Sequence, residues 1–130
     1  MKLPNYVKPM PRFRLLTNRG EYGYVSLSGK FIYLQPQLYA DLLSKNPRPF
    51  SVGILIHEEF HLEELNKIGQ MKYLLKNTFY PKFRLSHELA AYKQEFVYLK
   101  THNETIDLDK IARDFSGLKY YHATNYQNAK

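Results

Sequence analysis

The sequence predicts an α+β domain in which a small antiparallel sheet precedes a helical half. Short strand-like runs separated by turn residues occupy the first third of the chain. Helical periodicity takes over after residue 51. An order of strands first and helices second is typical of α+β domains. A length of 130 residues suits a single domain over residues 1–130.

The sheet is predicted as a β-meander over residues 12–34. Three prolines within residues 1–11 predict an extended arm before it, because proline disfavours helix. Turn signals at Gly20 and Gly29 separate the strand-like runs. The expected strands are 12–17, 22–27 and 30–34.

The helical half is predicted over residues 51–117, and a tail over residues 118–130 follows it. Pro36 can begin a short helix ahead of this half, and Gly69 is placed to end its first long helix. Pro81 separates the next two helical segments, and Asp107 can cap the last one. The expected helices are 36–43, 52–68, 71–76, 86–100 and 107–117.

The composition excludes several classes of protein. Cysteine is absent, which excludes disulfide frameworks, thiolate zinc sites and cysteine nucleophiles. The longest apolar run, residues 52–56, is far shorter than the roughly 20 residues of a membrane-spanning helix. The N-terminal residues lack the apolar core of a secretory signal. We therefore expect a cytoplasmic protein without a membrane among its partners.

The charge balance is basic. Nineteen Lys and Arg face twelve Asp and Glu, which gives a net charge of +7, and twelve Tyr and eight Phe are interleaved with the bases. This balance is compatible with weak nucleic-acid contact. The bases are scattered along the chain without a dense run, however, so charge alone does not distinguish such contact from simple solubility.

One short motif has the residue types and spacing of a metal-binding site. His57 and His61 frame an H-E-x-x-H sequence inside the first long helix. Residues four apart share a helix face, so both imidazoles can reach one metal ion, and neutral imidazole is a standard zinc ligand. Glu58 lies about 100° further round the helix, where it can reach a metal-held water as a general base. The pattern therefore predicts a catalytic zinc site.

The angular positions place the two histidines on the inward face of this helix. His57 and His61 share their face with Ile54 and Leu65, at about 100° per residue. Glu59 and Glu63 project from the opposite side, where we expect them to be exposed and dispensable.

A catalytic zinc normally has a third protein ligand. Glu88 is favoured because it lies on one stripe of the second long helix with Tyr92 and Glu95, and because Ala91 beside it permits close helix packing. The alternative interpretation of Glu88 is a solvated first-turn glutamate. The other candidates for the third ligand are His87, Glu95, His102 and His122.

Residues 54–61 (ILIHEEFH), followed by ELAAY at 88–92, resemble a small gluzincin-type zinc metallopeptidase domain, a minimal zincin of the kind found in bacteria and their phages. The resemblance covers about residues 30–100. It implies that His57, His61 and Glu88 bind zinc, that Glu58 is the catalytic base, and that a peptide or protein is the substrate. It also implies that the strand at 30–34 is an edge strand that aligns the peptide.

Some features leave alternatives open. The usual peptidase signature has an uncharged residue at Glu59 and an apolar one at Glu63. Glu64, Tyr92 and His122 are candidates for a hydrogen-bond partner of a ligand or for a donor to the transition state, although each also has an ordinary surface or core interpretation. The competing function is a catalytically inactive zincin-fold binding module that associates with nucleic acid or protein.

Overall fold

The fold follows the order that the sequence predicts, with a small sheet first and helices after it. A computed structural model describes residues 1–12 and 21–104. Its elements in chain order are β1 (Val7–Pro9), β2 (Gly23–Val25), β3 (Ile32–Leu34), α1 (Pro36–Leu43), α2 (Pro49–Ile68), α3 (Gln70–Phe79) and α4 (Pro81–Thr101). The α+β class is confirmed. The predicted helix at 107–117 and the tail lie outside the described residues.

The sheet has the strand order β1-β3-β2, with β3 parallel to β1 and antiparallel to β2. The N-terminal arm is extended, as predicted, but it folds back and pairs with β3. Ile32 N donates to the carbonyl of Tyr6 at 2.8 Å, and Met10 N donates to that of Leu34 at 2.7 Å. Pro9 is tolerated because β1 is an edge strand of this sheet.

The antiparallel pairing predicted for the second and third strands is confirmed by β2 and β3. Two details of the prediction are wrong. The sheet also includes part of the N-terminal arm as the parallel strand β1, and the strand at 30–34 is therefore central, with β1 and β2 as the edges among the described strands. Of the predicted strand at 12–17, only Arg12 is described, and it is not in a strand. Residues 13–17 lie outside the described part.

The core lies between the sheet and helices α1 and α2. Side chains alternate along β3, so Ile32 and Leu34 point inward and are fully buried, while Tyr33 stacks on Tyr24 on the other face. The buried apolar side chains that form this core are Val7, Ile32, Leu34, Leu38, Leu42, Ile54, Leu55 and Leu62. Helix α2 therefore has one side fixed against the sheet.

Local signals explain where the helices begin and end. Proline occupies the first turn of α1, α2 and α4, where its missing N–H costs no helical hydrogen bond. Gly69 ends α2 with φ of 98°, a conformation that favours glycine, and its N–H donates to the carbonyl of Leu65. The helices predicted at 36–43, 52–68, 71–76 and 86–100 all form, although α3 and α4 are longer than expected.

The side of α2 that carries Glu59 and Glu63 differs from the prediction. Glu63 is exposed, as expected, but Glu59 is half-buried and accepts a 2.5 Å hydrogen bond from the hydroxyl of Tyr6. Burial and the Glu59 carboxylate raise the pKa of Tyr6 to about 12, so this hydroxyl remains a donor. The prediction fails at Glu59 because the arm returns to the sheet and brings Tyr6 onto the helix.

Helices α2 and α4 approach each other closely at small residues. A Cβ atom at Gly53 would lie 3.2 Å from both Glu95 Cγ and Leu99 Cδ2, and Ala91 on α4 is fully buried. Among residues 1–12 and 21–104, no helix has the length and apolar character needed to cross a bilayer.

We expect Gly53→Leu to lower the free energy of unfolding by about 1–3 kcal/mol, because extra methylene groups must displace Glu95 and Leu99. Thermal unfolding followed by circular dichroism measures this change. Ala40→Leu is the matched control, since Ala40 is exposed on α1 and the same enlargement there should be nearly neutral. Equal melting temperatures for the two variants would contradict the close contact.

Candidate metal centre

The two histidines of the H-E-x-x-H sequence face α4 from one side of α2. His57 and His61 are both buried, as expected from their spacing and from the apolar residues on the same face. Their rings lie 4.8 Å apart between centroids. Glu88, on the first half of α4, is partly buried opposite them.

Three side-chain atoms of these residues converge on one point. Nε2 of His57 lies 2.5 Å from Oε1 of Glu88, and Nε2 of His61 lies 3.3 Å from the same oxygen. The two Nε2 atoms are 3.1 Å apart. This group could hold a metal ion. The structure thus brings together the three residues that the sequence predicts as ligands.

Glu95 occupies the other side of His57. Its Oε1 lies 2.9 Å from Nδ1 of His57, and the carboxyl group is buried. A carboxylate on one ring nitrogen fixes the orientation of the imidazole and leaves the other nitrogen for a metal. Glu95, an alternative third ligand in the sequence analysis, is therefore a partner of a candidate ligand.

The charges around His57 alter its protonation. Burial alone would lower the pKa of His57, but hydrogen bonds to Glu88 and Glu95 and the nearby charge of Glu58 raise it to about 10. Burial likewise opposes ionisation of Glu88, yet hydrogen bonds to His57 and His61 hold its pKa well below the usual range. A metal ion that binds Nε2 of His57 must therefore displace a proton.

His87, another candidate third ligand, contacts different partners. Its Nε2 lies 3.0 Å from the hydroxyl of Tyr73, and its ring stacks on Phe83 at 5.5 Å and contacts His61 at 4.7 Å. Burial and the neighbouring His61 lower the pKa of His87 to about 4. A neutral His87 accepts from Tyr73, whose own pKa is raised by burial and by Glu88. His87 thus packs beside His61 and is held there by Tyr73 and Phe83.

Glu58, the expected base, is buried on α2 next to strand β2. A Cβ atom at Gly23 would lie 3.5 Å from Glu58 Cγ, so the glutamate lies against the backbone of this strand. Tyr92 is half-buried with its ring edge-on to His57 at 4.5 Å between centroids. Tyr92 therefore contacts a candidate ligand through an edge-on arrangement of the two rings.

The remaining candidates do not join the group. Within the described parts of the chain, Glu64 makes no hydrogen bond to either imidazole, and Nδ1 of His61 is buried without a hydrogen-bond partner. His102 bonds the carbonyl of Tyr98 at the end of α4, roughly 21 Å along the helix from Glu88. His122 lies outside the described residues.

Two contacts of the site were not predicted. Glu95 shares a helix stripe with Glu88, which is visible in the sequence, but its pairing with Nδ1 of His57 depends on how closely α2 and α4 pack. Tyr73 comes from α3 and carries no local signal, because its position depends on the turn between α3 and α4.

Comparison with known proteins finds no family model that matches the chain and no curated protein or solved structure that is similar to it. The geometry of the side chains is therefore the basis on which a function is inferred.

We expect Glu95→Gln to weaken binding of a divalent ion by about 10–100-fold, because a neutral amide holds the imidazole of His57 less firmly. Isothermal titration with zinc, alongside a melting curve, separates this effect from unfolding. Gln94→Ala changes the exposed neighbouring residue and should bind zinc as the unchanged protein does. An affinity unaltered by Glu95→Gln would argue against the positioning role.

We expect metal binding to strengthen with rising pH. The pKa of His57 is raised, so the proton on Nε2 is bound at neutral pH and competes with the ion. Each unit between about pH 6 and 8 should increase the apparent zinc affinity about tenfold, for one displaced proton. Competition with a zinc-sensitive dye measures this dependence, and an affinity that is flat over the range would contradict it.

Proposed function

We propose that the protein is a zinc-dependent metallohydrolase that cleaves peptide bonds. The observation that carries the proposal is the convergence of Nε2 of His57, Nε2 of His61 and Oε1 of Glu88 on one point, with Glu58 on the same turn of α2. Three protein ligands and one open position are typical of catalytic zinc sites.

The donor set supports zinc over calcium and magnesium. Two imidazoles and one carboxylate suit zinc, whereas calcium and magnesium prefer oxygen ligands alone. Ligand atoms bonded at about 2.0–2.1 Å to a tetrahedral ion lie roughly 3.3 Å apart. The two distances from Nε2 of His61, 3.1 and 3.3 Å, fit this spacing. The shorter His57–Glu88 contact would have to open by less than about 1 Å.

In this proposal the chain provides the base and the scaffold. Bound zinc would polarise the scissile carbonyl and lower the pKa of a coordinated water. Glu58 would take a proton from the attacking water and pass it to the leaving amine, so that the peptide C–N bond breaks as the new C–O bond forms. Glu95 would hold His57 in place through Nδ1.

The sheet supports a peptide as substrate. Gln35 N donates to the carbonyl of Tyr22, and Ser26 N donates to the carbonyl of Phe31, so the backbone N–H and C=O of Gly23 point away from β3, on the side where β2 is an edge among the described strands. An extended peptide can add to such an edge by main-chain hydrogen bonds. Since Gly23 lies against Glu58, a peptide paired there would pass next to the proposed base.

We expect purified protein to hold one zinc ion per chain, and we expect His57→Ala and Glu88→Ala to lose it, because each removes a convergent ligand atom. Elemental analysis after dialysis measures the zinc content. His102→Ala is the control, since His102 is exposed at the far end of α4 and should leave the zinc in place. A full zinc equivalent in Glu88→Ala would refute the ligand set.

We expect Glu58→Gln to keep zinc and to reduce hydrolysis of an unfolded labelled protein by about 100-fold or more, because an amide cannot accept the proton of the attacking water. Glu63→Gln, on the exposed side of the same helix, should keep both zinc and activity. Undiminished hydrolysis by Glu58→Gln would exclude Glu58 as the base. Zinc-loaded wild-type protein that cleaves nothing would instead favour the binding-module interpretation.

A further inference from the structure

Helix α3 turns its apolar side to solvent. Met71, Leu74, Leu75 and Phe79 fall within about 140° of arc at 100° per residue, so they form one stripe. Met71 and Phe79 are 70% and 69% exposed, and α3 contributes no buried residue. Tyr80, which follows the helix directly, is exposed as well. We call these five residues the α3 surface.

The opposite side of α3 makes the contacts with the rest of the domain. Tyr73 packs edge-on against Phe83 and bonds His87, and Lys76 lies over the ring of Phe83 at 5.3 Å. A helix on a globular domain ordinarily buries its apolar side and exposes its polar side. The reversal seen in α3 is typical of a helix whose apolar side meets another surface.

The same part of the chain is strongly basic. Residues 65–87 contain no Asp or Glu, so Glu64 and Glu88 bound an acid-free segment that includes all of α3. The segment carries five basic residues, Lys67, Lys72, Lys76, Lys82 and Arg84. Lys72 lies on α3 itself, Lys67 and Lys82 lie on the ends of the helices that precede and follow it, and all three are exposed. The partner of the α3 surface must therefore accept apolar side chains and carry negative charge.

We propose that the α3 surface lies on an anionic lipid membrane, with its apolar side chains in the acyl boundary and its lysines at the headgroups. A helix with Leu and Phe on one side and Lys at its flanks is suited to this position. Long lysine side chains can reach the headgroups while their stems cover apolar surface. Tyr80 has the amphipathic ring favoured at membrane interfaces.

Other partners satisfy fewer of these features. Nucleic acid would pair with the lysines but would leave aliphatic Leu74 and Leu75 in water, since phosphates offer no apolar surface. A second copy of the chain would cover the apolar stripe but would bring the lysines of two acid-free segments together. A lipid surface adapts to a convex helix and accommodates both the apolar and the basic groups.

No apolar run in the sequence is long enough to span a bilayer, which predicts no membrane partner, but a helix that lies on the surface needs no span. Membrane association does not depend on the proposed hydrolase activity, because no residue of the α3 surface is a candidate metal ligand. Glu58→Gln should therefore associate with vesicles as well as the unchanged protein does.

Tryptophan reporters test whether the α3 surface is the part of the protein that contacts the membrane. The chain contains no tryptophan, so Leu75→Trp and Leu27→Trp each give a single emission signal. Both positions are exposed, but Leu27 lies outside the α3 surface. Vesicles of phosphatidylcholine with about 30% phosphatidylserine should shift the emission of Leu75→Trp to the blue and leave Leu27→Trp unchanged. Equal shifts, or none at position 75, would overturn the proposal.

Flotation with the same vesicles tests which side chains, apolar or basic, contribute to membrane binding. We expect Leu75→Gln/Phe79→Gln to reduce vesicle binding about tenfold or more. Lys72→Gln/Lys82→Gln should reduce it about fivefold per lysine, and high salt should weaken the unchanged protein similarly. Leu27→Gln/Leu43→Gln removes exposed apolar groups elsewhere and should bind normally. Melting curves establish that each variant is folded.

Three outcomes would overturn the proposal. The first is vesicle binding that the α3 variants and the Leu27→Gln/Leu43→Gln control share equally. The second is tight binding to a short DNA duplex that depends on Lys72 and Lys82 but not on Leu75 and Phe79. The third is a concentration-dependent dimer, measured by light scattering, that Leu75→Gln/Phe79→Gln abolishes while no variant binds vesicles.

Discussion

The close packing of α2 against α4 determines which side chains share the candidate metal centre. Gly53 lies one turn before His57 on α2, and it allows Glu95 and Leu99 to rest directly on the helix. Ala91 performs the same function from α4, between Glu88 and Glu95. Because the backbones approach here, a carboxylate of α4 reaches each nitrogen of His57. A larger residue at this crossing would separate the carboxylates from the imidazole, so packing and chemistry depend on one contact.

The buried charges explain why an ion suits this place. Glu58 and Glu95 are buried and Glu88 is largely so, and burial of carboxylates is unfavourable unless cations or hydrogen bonds compensate it. A proton on His57 supplies one positive charge, which is why its pKa is raised to about 10. A divalent ion bound to neutral imidazoles would supply two. The group of His57, His61 and Glu88 could therefore hold a divalent ion in place of this proton.

Local pattern predicts the parts of the site that one helix can define. The spacing of His57 and His61 fixes their common face, and the stripe on its own helix favours Glu88 as the third ligand. The pairing of β1 with β3 could not be predicted in this way, since a proline-rich arm shows no strand alternation and parallel pairing is a long-range contact. The positions of Tyr6 on Glu59 and of Tyr73 on His87 follow from such long-range contacts, and the sequence carries no sign of either.

Helix α3 shows where amphipathic pattern alone is insufficient. The sequence predicts a helix at 71–76, and its apolar side chains form one stripe, which the usual rule would turn inward. The sheet, α1 and α2 already fill the core, and Tyr73 holds the polar side of α3 against α4 through His87 and Phe83. Turning α3 over would place Lys76 and Tyr73 in water and would remove the partner of a buried imidazole. The polar contacts beside the candidate metal centre thus fix the orientation of α3, and its apolar side faces outward as a consequence.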